Sequence, residues 1–171
     1  MSQAVPGETA VSPARVDSRT VRGRRKVQFR SLDEVVADAE QLVASPHTRM
    51  LGNWPLSRLL THLAVAVNRS IDGVSVKAPF FLRLAGPYLK WRILNKGMAP
   101  GFTMPRNREA EFFPPADSPQ DALEQLRRAV GRLRTERMTV RHPVFGKVTQ
   151  EEWTRFHLRH AELHLSFAVP D

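Results

Sequence analysis

Apolar residues that recur every three to four positions in four separate stretches restrict this chain to helices more tightly than any other feature of its sequence. In the first stretch Leu32, Val35, Val36, Ala39, Leu42 and Val43 share one helical face, opened by Ser31 and Glu34 at capping-box spacing and closed at Ser45-Pro46. Pro55 can occupy the first turn of a second helix, in which Leu56, Leu59, Leu60, Leu63, Ala66 and Val67 form the apolar stripe up to about Gly73. Ser118-Pro119 opens a third through Leu123, Leu126, Val130 and Leu133, with Asp121 and Glu124 early and Arg132, Arg134 and Arg137 late, in keeping with the helix dipole. Thr149 and Glu152 repeat the capping-box spacing before a fourth helix that is expected to run to Ala168. The intervening segment from Val74 to Asp117 is long for a helix-to-helix connection and holds an apolar, basic helix candidate over Phe80 to Lys96, interrupted at Gly86-Pro87. The expected fold is therefore all-α, a four-helix bundle with a long structured crossover between helices 2 and 3.

A length of 171 residues suits one domain with a core of its own. Residues 1–22, with Pro6, Gly7, Ser12 and Pro13 and few apolar side chains, are expected to form a disordered basic leader, leaving 23–171 as the folded domain. The net charge is +9, and residues 1–30 hold seven Lys/Arg against Glu8 and Asp17, so the body is only mildly basic. Such a tail is expected to be solvated, and no nucleic-acid motif or aromatic platform accompanies it, which argues against nucleic-acid binding. Arg24-Arg25 is followed by Lys26-Val27-Gln28-Phe29-Arg30-Ser31 and not by an apolar segment, so an export signal is not expected and a cytoplasmic location is. Arg83, Pro87, Lys90 and Arg92 break the most apolar region, so no membrane span is expected. Within that region Phe80, Phe81, Leu84, Leu89, Trp91 and Leu94 call for burial, and a helix over Phe80 to Lys96 is expected to cover one mouth of a metal pocket in the bundle; the competing reading is a membrane-surface helix edged by Arg83, Lys90, Arg92 and Lys96.

Cysteine is absent, which excludes disulfides, thiolate zinc sites and a cysteine nucleophile, and leaves histidine and carboxylate as metal ligands. On the last helix Trp153, Phe156, Ala161, Phe167 and Ala168 mark the apolar stripe, and His160 and His164 fall in its middle. One turn apart on one face, they can approach a single ion. His157 shares that face but lies roughly 10 Å along the axis from His164, so either His157 with His160 or His160 with His164 serves, and His160 is common to both. Glu162 stands about 200° round the helix from His160, which excludes the arrangement of an HExxH protease. His62, at the edge of its stripe beside Leu59 and Ala66, can supply a third ligand from a facing helix.

Taken together, Gly52-Asn53-Trp54, Leu60-Thr61-His62-Leu63, the HPVFG turn at 142–146 and EEWTRFHLRHAELHLSF resemble the DinB/YfiT-like superfamily of metalloenzymes, and more closely one of its branches of unknown function. The resemblance runs from about residue 24 onward. It implies a bacterial four-helix bundle in which one histidine of the second helix and an HxxxH pair of the last form a facial metal site, here His62, His160 and His164, with His157 outside the ligand set. It also implies activities such as thiol-dependent S-transfer or isomerisation with a low-molecular-weight thiol. The long Val74 to Asp117 insertion departs from shorter members.

Three neutral imidazoles leave a coordination position open, the mark of a catalytic site, with zinc the default ion and nickel, iron or manganese as alternatives. The reading is a metal-dependent transferase or hydrolase acting on a small molecule; its rival is a noncatalytic bundle that binds a metal, a ligand or a partner, a homodimer included. Asn53, Trp54, His157 and Arg159 are candidates for supporting or substrate-contact roles, though capping, packing or surface charge accounts for such residues as well.

Overall fold

The computed structural model describes residues 15–73, 78–101, 109–114 and 116–170. Mostly helical, it contains α1 (Leu32–Ala44), β1 (Thr48–Met50), α2 (Leu56–Asp72), α3 (Phe80–Leu84), α4 (Gly86–Lys96), α5 (Glu109–Phe112), α6 (Pro119–Arg132), α7 (Gln150–Leu165) and β2 (Ala168–Pro170). Caps set the starts. The Ser31 hydroxyl accepts from the Glu34 amide at 3.2 Å, although the Glu34 carboxylate reaches back to the Arg30 amide and not to Ser31. Ser118 accepts from Asp121, and Thr149 and Glu152 close a full capping box.

The apolar stripes then find one another. α2 packs against α6 and α7, while α1 lies against the same two helices. Val35, Ala39 and Leu42 of α1, Leu59, Leu60 and Leu63 of α2, Leu123 and Leu126 of α6, and Leu158, Ala161 and Leu165 of α7 are buried in one apolar cluster. Each fully buried leucine removes its apolar surface from water for about 1.5 to 3 kcal/mol, which makes this cluster the main favourable contribution to stability.

Three local features differ from the sequence expectation. α7 ends at Leu165, and the chain turns at Ser166 into β2, which pairs antiparallel with β1 in the register Met50 to Ala168 and Thr48 to Pro170. Phe167 and Ala168 therefore leave the helical stripe; a proline at position 170 cannot extend a helix, whereas an edge strand tolerates it. α6 stops at Arg132, short of Arg134 and Arg137. Arg24 and Arg25, grouped by sequence with a solvated tail, dock on the folded body. The Arg25 guanidinium forms a two-pronged pair with Asp38 of α1 at 2.8 and 2.7 Å and donates to the carbonyls of Ala168 and Leu165, while Arg24 donates to Ser166 Oγ and lies over the Phe167 ring.

The crossover supplies α3, α4 and α5. α4 packs along α7, and Lys90 pairs with Glu152 at 2.7 Å. Leu94 is buried as expected, but Phe80, Phe81, Leu84 and Trp91 point to solvent. Helix α4 begins at Gly86, whose Cα faces the backbone carbonyl of Val144 in the 142–146 turn so closely that a Cβ has no room. Gly86→Ala is therefore expected to lift α4 off the turn at a cost of about 1 to 3 kcal/mol, the range for overpacking. Faster amide exchange over residues 86–96 than in the parent protein is the result to look for; unchanged protection there refutes the contact.

Candidate metal centre

The packing of α2 on α7 brings His62 to the face of α7 that carries His160 and His164. His62 Nε2 lies 3.0 Å from His160 Nε2, and His164 Nε2 lies 3.0 Å from the same atom. Ligand atoms of the three residues all fall within 4.8 Å of one another, a group that could hold a metal ion.

The protonation pattern follows from neighbours. A carbonyl only accepts, so the 3.0 Å contact between His62 Nδ1 and the Phe112 oxygen puts the ring proton on Nδ1 and leaves Nε2 as a bare lone pair facing His160. Burial keeps the rings neutral. The pKa of His62 is pushed down to about 4, chiefly by desolvation, with Arg69 and Arg58 adding to the effect and the Phe112 bond opposing it. His160 and His164 lie well below the usual histidine value, again through desolvation first, then through mutual repulsion for His160 and through His62 and Arg24 for His164.

Hydrogen bonding alone serves this cluster poorly. A ring nitrogen offers one N–H or one in-plane lone pair, so His160 Nε2 can satisfy only one of its two neighbours well, and His160 Nδ1 is buried with no partner among the described residues. Three neutral imidazole nitrogens pointing at a common place are, in contrast, the donor set that a borderline divalent ion takes. The residues fit such an ion.

Aromatic rings wall the centre. Phe113 stacks on His62 with centroids 4.3 Å apart, and Trp54 stacks on His164 at 5.4 Å while touching Phe113 at 4.3 Å. Phe156 stacks beside His160 at 5.8 Å. Phe112 ends α5 and Phe113 follows it, and Arg69 secures this helix by donating to the Glu111 carbonyl at 2.7 Å and lying over the Phe112 ring at 3.8 Å. The polar group that the crossover brings to the site is the Phe112 carbonyl. Sequence reasoning singled out neither phenylalanine; an aromatic pair just before Pro114-Pro115 is the signal that could have drawn notice.

The other candidates divide. Trp54 is in the wall. His157 is buried, and its Nε2 meets Ser70 Oγ at 3.1 Å; because the Ser70 hydroxyl donates to the Val67 carbonyl, the serine oxygen accepts and His157 donates. That bond occupies the nitrogen that a metal would need. Ser70 falls on the stripe of Leu63 and Val67 by helical spacing, which is the trace it leaves in the sequence. Asn53 is exposed and exchanges two 2.7 Å bonds with the backbone of Val16. Arg159 pairs with Glu162, whose carboxylate also accepts from the Phe29 amide. In the HPVFG turn His142 Nδ1 accepts from the amides of Val144 and Phe145, so this histidine organises the turn.

His157 also ties stability to pH. Desolvation, with His142 adding, pushes its pKa down to about 3, so the native chain stays neutral there while the unfolded chain takes up a proton below about pH 6.5. Its contribution is complete above pH 6.5 and is lost as the pH falls from there toward 3. His157→Asn keeps a donor for Ser70 without a titrating ring. Urea midpoints of parent and variant are expected to differ less at pH 5 than at pH 7; a constant difference refutes the linkage.

The fold and the centre thus define a mostly helical protein in which three histidines from two packed helices could hold a metal ion. The chain belongs to the family described as protein of unknown function (DUF1569), whose model matches residues 21–171. No curated protein and no solved structure matches it.

Proposed function

We propose that this chain is a divalent-metal-dependent enzyme of the DinB/YfiT type, a four-helix bundle with His62, His160 and His164 as ligands, acting on a small molecule in the bacterial cytoplasm. The observation that carries the reading is the meeting of two imidazole nitrogens on His160 Nε2, each at 3.0 Å, with His62 already locked in the ligand tautomer. A bound ion, zinc by default and otherwise nickel, iron or manganese, supplies Lewis acidity and an open position for water or a substrate thiolate.

The protein's own groups do the rest. The Phe112 carbonyl orients His62 and raises its basicity, the role that such partners play at metal-ligating histidines. Trp54 and Phe113 exclude water from the face they cover, which strengthens every charge interaction inside. Thiol-dependent S-transfer is the favoured reaction and hydrolysis the next, with a low-molecular-weight thiol as the co-substrate of the first.

One observation favours a noncatalytic metal or ligand binder instead: among the described residues no carboxylate joins the three histidines to serve as a general base. Metal analysis of the purified protein, followed by a screen of low-molecular-weight thiols with electrophilic acceptors, separates the two. About one ion per chain with turnover in the screen supports the enzyme. An ion without turnover favours the binder, and no ion at neutral pH removes both metal readings.

A further inference from the structure

Helices α3 and α4 turn their largest apolar side chains outward. Phe80 is 77% exposed, Phe81 67%, Leu84 74%, Tyr88 64% and Trp91 55%. Ala85, which joins the helices, is itself in the helical region, so the turn continues through it, and Phe80, Leu84, Tyr88 and Trp91 at spacings of four, four and three fall on one stripe. The Tyr88 and Trp91 rings lie 6.2 Å apart on that stripe. Five large apolar residues exposed on two consecutive helices exceed what a monomer scatters at random over its surface.

Charge decides what suits this face. From Ala78 to Gly101 the sequence contains four Lys/Arg and no Asp or Glu. Arg83, Arg92 and Lys96 are exposed next to the stripe, and among the described residues none of them forms an ion pair, whereas Lys90 on the inner side pairs with Glu152. A second copy of the chain would set cations against cations, at a cost in like-charge repulsion. A bilayer surface with anionic headgroups meets both demands, taking apolar side chains at the acyl boundary, tyrosine and tryptophan at headgroup depth and the cations among the phosphates.

We propose that the α3–α4 face docks this protein on an anionic phospholipid surface. Docking leaves the core undisturbed, because Leu94 and the contacts of Gly86 and Lys90 hold α4 to the body from the opposite side.

The test uses the full chain and vesicles of phosphatidylcholine, with and without about 30 mol % phosphatidylglycerol. Co-flotation with the anionic vesicles only, falling as salt rises, is expected, together with a blue shift of tryptophan emission that Trp91→Phe removes. The double variant Phe80→Ser with Leu84→Ser alters exposed positions alone, so its circular dichroism should match the parent, and it should bind at least about tenfold more weakly. Three results overturn the proposal: no flotation, flotation that the double variant leaves unchanged, which assigns binding to basic residues elsewhere, and a concentration-dependent dimer that the double variant abolishes, which assigns the face to a second copy.

Discussion

Replacing His160 with alanine is expected to eliminate divalent-ion binding while leaving the protein folded. His160 Nε2 is the atom that both other ring nitrogens approach, so its removal takes out the centre of the group and not one edge. Its Nδ1 is buried without a partner among the described residues, and burying such a group costs about 1 to 3 kcal/mol, so truncation in the metal-free protein relieves one penalty while it opens a cavity. The two offset, and the melting temperature without metal should change little. His164→Ala should act similarly on affinity. His157→Ala should cost no more than the roughly 10- to 100-fold typical of a residue behind the ligands, because its Nε2 already donates to Ser70. Zinc titration by calorimetry, with circular dichroism as the control, checks this ranking. If His157→Ala harms affinity more than His164→Ala, the ligand pair on α7 has been chosen wrongly.

Arg25→Ala is expected to cost about 2 to 3 kcal/mol of stability, a fall of roughly 4 to 12 °C in melting temperature for a chain of this length. The guanidinium binds Asp38 with two prongs and donates to the carbonyls of Leu165 at the end of α7 and Ala168 in β2, and both members of the ion pair are mostly covered, with side-chain exposures of 21% and 14%. Its loss strands the Asp38 carboxylate and unties α1 from the C-terminal strand at one stroke. Arg22, three residues earlier and exposed, provides the contrast: Arg22→Ala should stay within about 0.5 kcal/mol of the parent. We further propose that deletion of residues 1–22 leaves the melting temperature nearly unchanged, since that segment has few apolar side chains with which to offset ordering entropy. Equal melting of the Arg25 and Arg22 variants would show that the clasp contributes nothing.

What the sequence disclosed depended on the range of the interaction. Helices α1, α2, α6 and α7 were legible because each carries its own record of periodic apolar residues, and the starts of α1, α6 and α7 because Ser31, Ser118 and Thr149 act on residues only three places away. The end of α7 was not: β2 is three residues long, too short for alternation to register, and it exists only because Thr48–Met50 lies alongside. Arg25 looked like tail charge since its partners are 13 and about 140 positions distant. In the centre, the pairing of His160 with His164 could be read from helical spacing, yet the carbonyl that sets the tautomer of His62 lies 50 residues away across the crossover. The crossover's own aromatics misled for a related reason: hydrophobicity says that a side chain gains from leaving water, not that this chain supplies the cover.

The position of Phe112 and Phe113 couples two properties that a binding centre could have kept apart. One residue's carbonyl steers the His62 proton, and the next residue's ring roofs the same imidazole, while Arg69 anchors both through Glu111 and the Phe112 ring. Opening and arming the centre therefore share a hinge: any displacement of this short helix wide enough to admit a molecule over Phe113 also slackens the bond that presents the bare nitrogen of His62.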